Sequence, residues 1–137
     1  MKNLKKSILG IAVVTAFMFS QTASAQKPKG KEWKVPEASA KMKSKVKADE
    51  SSIAAGKEIW VKECKSCHGT KGLGDGTKAE KIDISCGNFS SAEFQALSDG
   101  ELFYKTKEGR KPMPSFKEKL DDTALWQVVA YMRTLKK

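Results

Sequence analysis

Cys64-Lys65-Ser66-Cys67-His68 sets two thiols three positions apart and an imidazole directly after the second. Two cysteines at that spacing near a helix end can form thioethers with the two vinyl groups of one haem, and the next residue can bring its imidazole to the iron. The thioethers hold the ring where the histidine reaches it, and neutral imidazole is a good iron ligand. Three rival chemistries would use the same residues. A thioredoxin-like redox pair wants a βαβ context, which this stretch lacks. A zinc site from Cys64, Cys67, His68 and Cys86 has suitable donors, but the adjacent Cys67 and His68 side chains diverge on a helix. A structural disulfide between Cys64 and Cys67 would leave His68 without a role. One covalently attached haem c uses all three residues.

His68 is the only histidine, so a second axial ligand must come from elsewhere, and methionine is the candidate. Met42 lies in a lysine-rich arm, and Met132 lies on the apolar face of the last helix, where core packing explains it. Met113 differs. It stands on a loop between Pro112 and Pro114 with Phe116 close behind. A thioether ligand there would raise the reduction potential and close the iron to other ligands. The bland alternative is an apolar loop residue filling a gap.

The elements that must position these groups read as helices joined by long loops, an all-α fold of three to five helices wrapped around one haem. Ser51 or Ser52 can cap a helix whose apolar positions Ile53, Ala54, Ile59 and Trp60 recur at helical spacing, ending near Cys67. Gly69, Gly72, Gly74 and Gly76 mark a loop. Ser90-Ser91-Ala92-Glu93 has the form of a capping box and opens a short helix through Leu97. Ser98-Asp99-Gly100-Glu101 repeats that form ahead of Leu102, Phe103 and Tyr104, with Gly109 as the stop. Two prolines keep residues 111–114 out of regular helix. Asp121 or Asp122 caps a last helix with apolar face Leu125, Val128, Val129, Met132 and Leu135.

Residues 1–25 read as a cleaved secretory signal. Lys2, Lys5 and Lys6 make a positive start, Ile8 to Phe19 an apolar stretch, and Ala23-Ser24-Ala25 a small-residue cleavage site. The apolar stretch is short for a membrane span, so the expected location is periplasmic or exported and soluble after cleavage, not held by an uncleaved signal. Residues 26–50, rich in lysine, read as a flexible arm with one anchoring contact from Trp33, which leaves 51–137 as the folded domain. The chain carries 26 basic and 16 acidic residues, a net charge of +10. An exported chain with no nucleic-acid module is a poor match for nucleic-acid binding, and acidic partner proteins or an anionic surface fit better. Three cysteines are an odd number and too few for a disulfide scaffold.

Together these residues resemble the class I cytochrome c family over about residues 51–137. The attachment motif is preceded by Gly56 and Trp60, where the family has a glycine that lets the C-terminal helix cross closely and an aromatic beside it. Met113-Pro114 matches the family's ligand loop. Val128-Val129-Ala130-Tyr131-Met132 matches its C-terminal helix, with Val128 and Tyr131 where the residues touching Gly56 and Trp60 are expected. The family's proline after the glycine-rich loop, whose carbonyl takes a hydrogen bond from the haem histidine, is missing. The loop Gly74-Asp75-Gly76-Thr77-Lys78 offers carbonyls, and which one serves stays open. Cys86, left over, reads as a small buried hydrophobe beside Ile84 and Phe89 rather than a reactive thiol or an intermolecular disulfide.

The resemblance implies a one-electron carrier, not an enzyme, with His68 and Met113 as axial ligands. It would act without a small-molecule substrate and as a monomer. Its partners would be redox proteins, such as a respiratory donor complex and a terminal oxidase or dehydrogenase. Lys65, Lys71, Lys78 and Lys111 are candidates for steering an acidic partner. Two other functions compete: an electron-transfer subunit of a larger periplasmic oxidoreductase docked through residues 26–50, and a haem sensor or enzyme if Met113 does not bind iron.

Overall fold

A computed structural model describes residues 27–137; the expected signal peptide lies outside the described residues. Asp49, not Ser51 or Ser52, starts the first long helix, its carboxylate accepting from the Ser52 N–H at 3.0 Å. An aspartate at this position satisfies an otherwise orphaned N–H and its charge suits the positive helix end. Helix α2 (Glu50–Ile59) runs on through a wide π turn at Trp60–Cys64 into α3 (Lys65–His68), forming one rod that ends at Gly69. The attachment motif thus occupies the rod's last turns, where side chains can point away from the helix it continues.

Short α1 (Glu37–Ala40) precedes the rod, and a 3₁₀ turn spans Ala79–Lys81. Helix α4 (Ala92–Gln95) is capped by Ser91, and α5 (Asp99–Glu108) opens with the full reciprocal capping box of Ser98 and Glu101 before stopping at Gly109. Asp121 caps α6 (Asp122–Thr134). Among the described residues there is no strand beyond an isolated bridge between Arg110 and Met113, and no helix is long and apolar enough to cross a membrane.

The core forms where α6 crosses the rod. Leu125, Trp126, Val128, Val129 and Met132 of α6 are buried with Trp60, Leu102 and Phe103. Trp126, absent from the expected apolar face, is fully enclosed and stacks on Phe103 at 4.2 Å between ring centroids. The crossing needs Gly56, because a Cβ there would stand 2.0 Å from the Gln127 carbonyl oxygen and 3.0 Å from the Tyr131 Cβ. Tyr131 fills its expected place beside Trp60, at 5.8 Å between rings, but the atom nearest Gly56 belongs to the backbone of Gln127 rather than to Val128.

The segment expected as a tether with a single contact is fastened at several points. Ser98 Oγ donates to the Ala40 carbonyl at 2.7 Å, and α1 packs so closely on α5 that a Cβ on Gly100 would meet the Ser39 oxygen at 2.2 Å. Farther upstream, Lys27 Nζ donates to the carbonyls of Ala79, Glu80 and Ile82 at 2.7, 3.0 and 2.6 Å. Composition suggests mobility because the stretch has few large apolar groups; it is held instead by hydrogen bonds to backbone carbonyls, its own at Ala40 and those of residues 79–82.

Candidate functional site

The four residues expected to do chemistry meet at one place. Cys64, Cys67, His68 and Met113 all line a single cavity of about 300 Å³, open on one side. Most of its wall is apolar, with Trp60, Phe89, Leu102 and Phe116 among its buried lining residues.

His68 is the best-held member. Its Nδ1 lies 2.6 Å from the Cys86 carbonyl oxygen. A carbonyl can only accept, so Nδ1 carries the proton and donates, leaving the Nε2 lone pair free as a ligand. Phe89 meets the imidazole edge-on at 4.8 Å and Trp60 lies 5.8 Å away. Trp60 is itself fixed, its buried indole N–H donating to the Gly69 carbonyl at 3.0 Å. Burial holds the imidazole below its usual pKa, against the opposing pull of the Cys86 bond, so the neutral, metal-binding form is favoured at neutral pH. The open question of the orienting carbonyl is thereby answered: it comes from Cys86, not from the 74–78 loop. That loop's own backbone turns elsewhere, with Gly74 and Gly76 N–H groups donating to His68 and Cys67 carbonyls.

Cys86 is less buried than the small buried hydrophobe expected. It and Ile84 are only half-buried and both line the cavity, while Phe89 is buried. Its thiol is pushed up by burial and then by Cys67, with Lys27 opposing. Cys64 is buried, and burial, followed by Glu63 and Cys67, pushes its thiol up to about 12. All three cysteines are free, so no disulfide uses the pair. Among the described residues no cluster of three or more His, Cys, Asp or Glu side chains is placed to hold a metal ion.

Met113 approaches on a turn closed by its N–H donating to the Arg110 carbonyl at 2.9 Å. The turn is pinned to the end of α5, where the Lys107 carbonyl accepts from the Phe116 and Lys117 N–H groups and the Ser115 hydroxyl. Gly109, at φ 65°, permits this closure, since a Cβ there would lie 2.3 Å from the Pro114 oxygen. Met132 also reaches the cavity wall, but it is 4% exposed within the core, whereas Met42 is exposed and does not line it.

Lys65, Lys71, Lys78 and Lys111 are all exposed and none lines the cavity. Two other cations do: Lys105, whose burial lowers its pKa with Glu101 opposing, and Arg110. Glu63 reaches the same wall and is paired with Lys119 at 2.5 Å. No spacing rule marks Lys105, Arg110 or Trp33 as cavity residues.

The family described as cytochrome C oxidase, cbb3-type, subunit III matches residues 51–132. Among solved structures, a chain of the Kuenenia stuttgartiensis reducing HAO-like protein complex is 30% identical over 67% of this chain, with a TM-score of 0.62; the match spans 47% of that chain. The KustC0563 c-type cytochrome is 32% identical over 60% of this chain and 98% of its own, with a TM-score of 0.53. Cytochrome CL from the marine methylotroph Methylophaga aminisulfidivorans shares the fold at 21% identity and a TM-score of 0.51, covering 64% of this chain and 55% of its own. No curated protein sequence matches the chain.

Proposed function

Because the chain belongs to the class I cytochrome c family, whose members carry electrons on covalently bound haem c, we propose that it is an exported single-haem carrier with His68 and Met113 as axial ligands and no catalytic turnover. The observation that carries this reading is the convergence of Cys64, Cys67, His68 and Met113 on one cavity, with the His68 Nε2 left free by its Nδ1 bond to Cys86. The residues suit the group. An apolar wall accepts the flat ring, two thiols lie along the rod that ends in the histidine, and a thioether stands on a separate loop.

When bound, the haem supplies reversible one-electron oxidation of its iron. The chain's own residues do the rest. Cys64 and Cys67 would tether the ring, and the Cys86 carbonyl holds the imidazole in the tautomer that could bind iron. Trp60, Phe89 and Phe116 exclude water, and the pinned turn presents Met113. With both ligands supplied by the protein, no position would be left for a substrate, which would favour electron transfer over a sensor or enzyme. The pattern of residues 1–25 supports export to the periplasm and a soluble mature protein. Redox proteins are the partners, and the likeness to a chain of a multi-protein complex makes a role as a subunit of a larger oxidoreductase the second reading.

Absorption spectra of the mature protein, made with haem-attachment machinery present, test the proposal. Attachment of one haem per chain and a far-red ferric band that Met113→Ala abolishes are expected. Attached haem with no such band, and ready binding of carbon monoxide, would sink the methionine assignment and favour the sensor or enzyme. No attached haem would overturn the whole reading.

A further inference from the structure

Two loops control the cavity, and neither contacts the other by hydrogen bond. Residues 82–87 carry the carbonyl that orients His68, and residues 110–114 carry Met113. A segment upstream of the matched domain joins them. At one end Lys27 grips three carbonyls of residues 79–82, and the Ser85 N–H donates to the Pro28 carbonyl at 2.9 Å. At the other end Arg110 donates from Nη1 to the Glu32 carbonyl at 3.0 Å and from Nη2 to the Lys31 carbonyl at 2.8 Å. Its guanidinium also lies over the Trp33 ring, 4.6 Å from the centroid. Between the two ends the backbone passes close to the cavity. A Cβ on Gly30 would stand 3.1 Å from Ile84 Cδ1, and Gly30 and Trp33 both line the wall.

We propose that residues 27–33 are a strap that completes the haem pocket, with Trp33 a haem-packing residue and the Trp33–Arg110 contact a latch that holds the Met113 turn closed. The inference rests on the haem reading above. Its physical basis is that Arg110 is the first residue of the Met113 turn and accepts the turn's own hydrogen bond, so whatever fixes Arg110 fixes the base of that turn. A planar guanidinium that spends two N–H groups on strap carbonyls and its face on an indole is held in position as well as in charge. The half-buried indole also lines the pocket wall, and an apolar ring there keeps water from the iron environment and disfavours the more positive ferric form.

The test compares the wild-type protein with Trp33→Ala and Trp33→Phe, all haem-loaded. Imidazole can displace Met113 only when the 110–114 turn swings away, so its apparent affinity reports how firmly that turn is held. Trp33→Ala is expected to raise imidazole affinity about fivefold, the scale of one exposed cation–π contact, with loss of the far-red band as readout. It should also lower the reduction potential, and Trp33→Phe should restore both. Lys27→Met, which frees the strap's other end without touching the Met113 turn, should shift both in the same direction. Unchanged potential and unchanged imidazole affinity in Trp33→Ala would overturn the strap, and so would a loss of overall denaturant stability with neither quantity moved. A wild-type chain that takes up no haem would instead bring down the proposed function and this inference with it.

Discussion

His68 and Met113 face the same cavity from supports of different kinds. His68 ends a helical rod, its ring packed by buried Phe89 and Trp60 and its Nδ1 tied to a carbonyl at 2.6 Å. Met113 sits half-buried on a turn between two exposed prolines, held by one backbone hydrogen bond within the turn and by pins at its ends. The imidazole is therefore positioned by the same packing that holds the protein together. The thioether is carried by a loop whose hold comes from backbone hydrogen bonds, with Met113 only partly buried against the edge of the core. Damage on the histidine side should cost folding stability, and damage on the methionine side should change ligation first.

The largest effect is expected from Phe89→Ala, which empties a site touching His68, Trp60 and Phe94. Its cost should be about 3–5 kcal/mol in denaturant unfolding. A loss well below that would mean that the imidazole is not held by the core. Next comes Gly56→Ala, which forces the rod off α6; overpacking of this kind costs about 1–3 kcal/mol, occasionally more, and thermal unfolding measures it.

Gly109→Ala sharpens the contrast from the other side. The residue sits at positive φ with the Pro114 oxygen in the way, and the expected folding cost is about 1–2 kcal/mol. The far-red methionine band should weaken at the same time, while His68 stays bound. A band unchanged by this substitution would show that the turn's closure does not govern Met113. The smallest effect is a pH dependence of the haem-free chain. Burial lowers the folded pKa of His68 from 6.5, so below that value the unfolded chain binds more protons and stability falls as pH falls. Urea midpoints followed downward from pH 6.5 should show this decline, and His68→Gln should flatten it.

Much of the fold was legible because its signals are local. The capping box at Ser98, the stop at Gly109 and the apolar stripe of α6 are each written within a few residues, and each stands where expected. The cap at Asp49 lies just ahead of the two candidate serines, and all three residues are competent acceptors. Trp126 was overlooked because it widens the α6 stripe toward Phe103, and only the position of α5 makes that side interior. The lysine-rich arm, residues 26–50, is a different case. Its lysines look solvated, yet Lys27 reaches three carbonyls more than fifty residues away.

By itself, then, the sequence determined the attachment motif, the lone histidine, the Met-Pro turn and the helices that bear them. These depend on spacing, caps and turn residues acting over a few positions. Only the tertiary structure decided which carbonyl orients His68, that Lys105 and Arg110 line the cavity, and that Trp33 and Lys27 tie its two loops together. Those contacts join residues 18 to 79 positions apart. A carbonyl is present on every residue and a lysine on every surface, so which of them meet is set by how the rod, α5 and α6 pack, and no local pattern of residues records it.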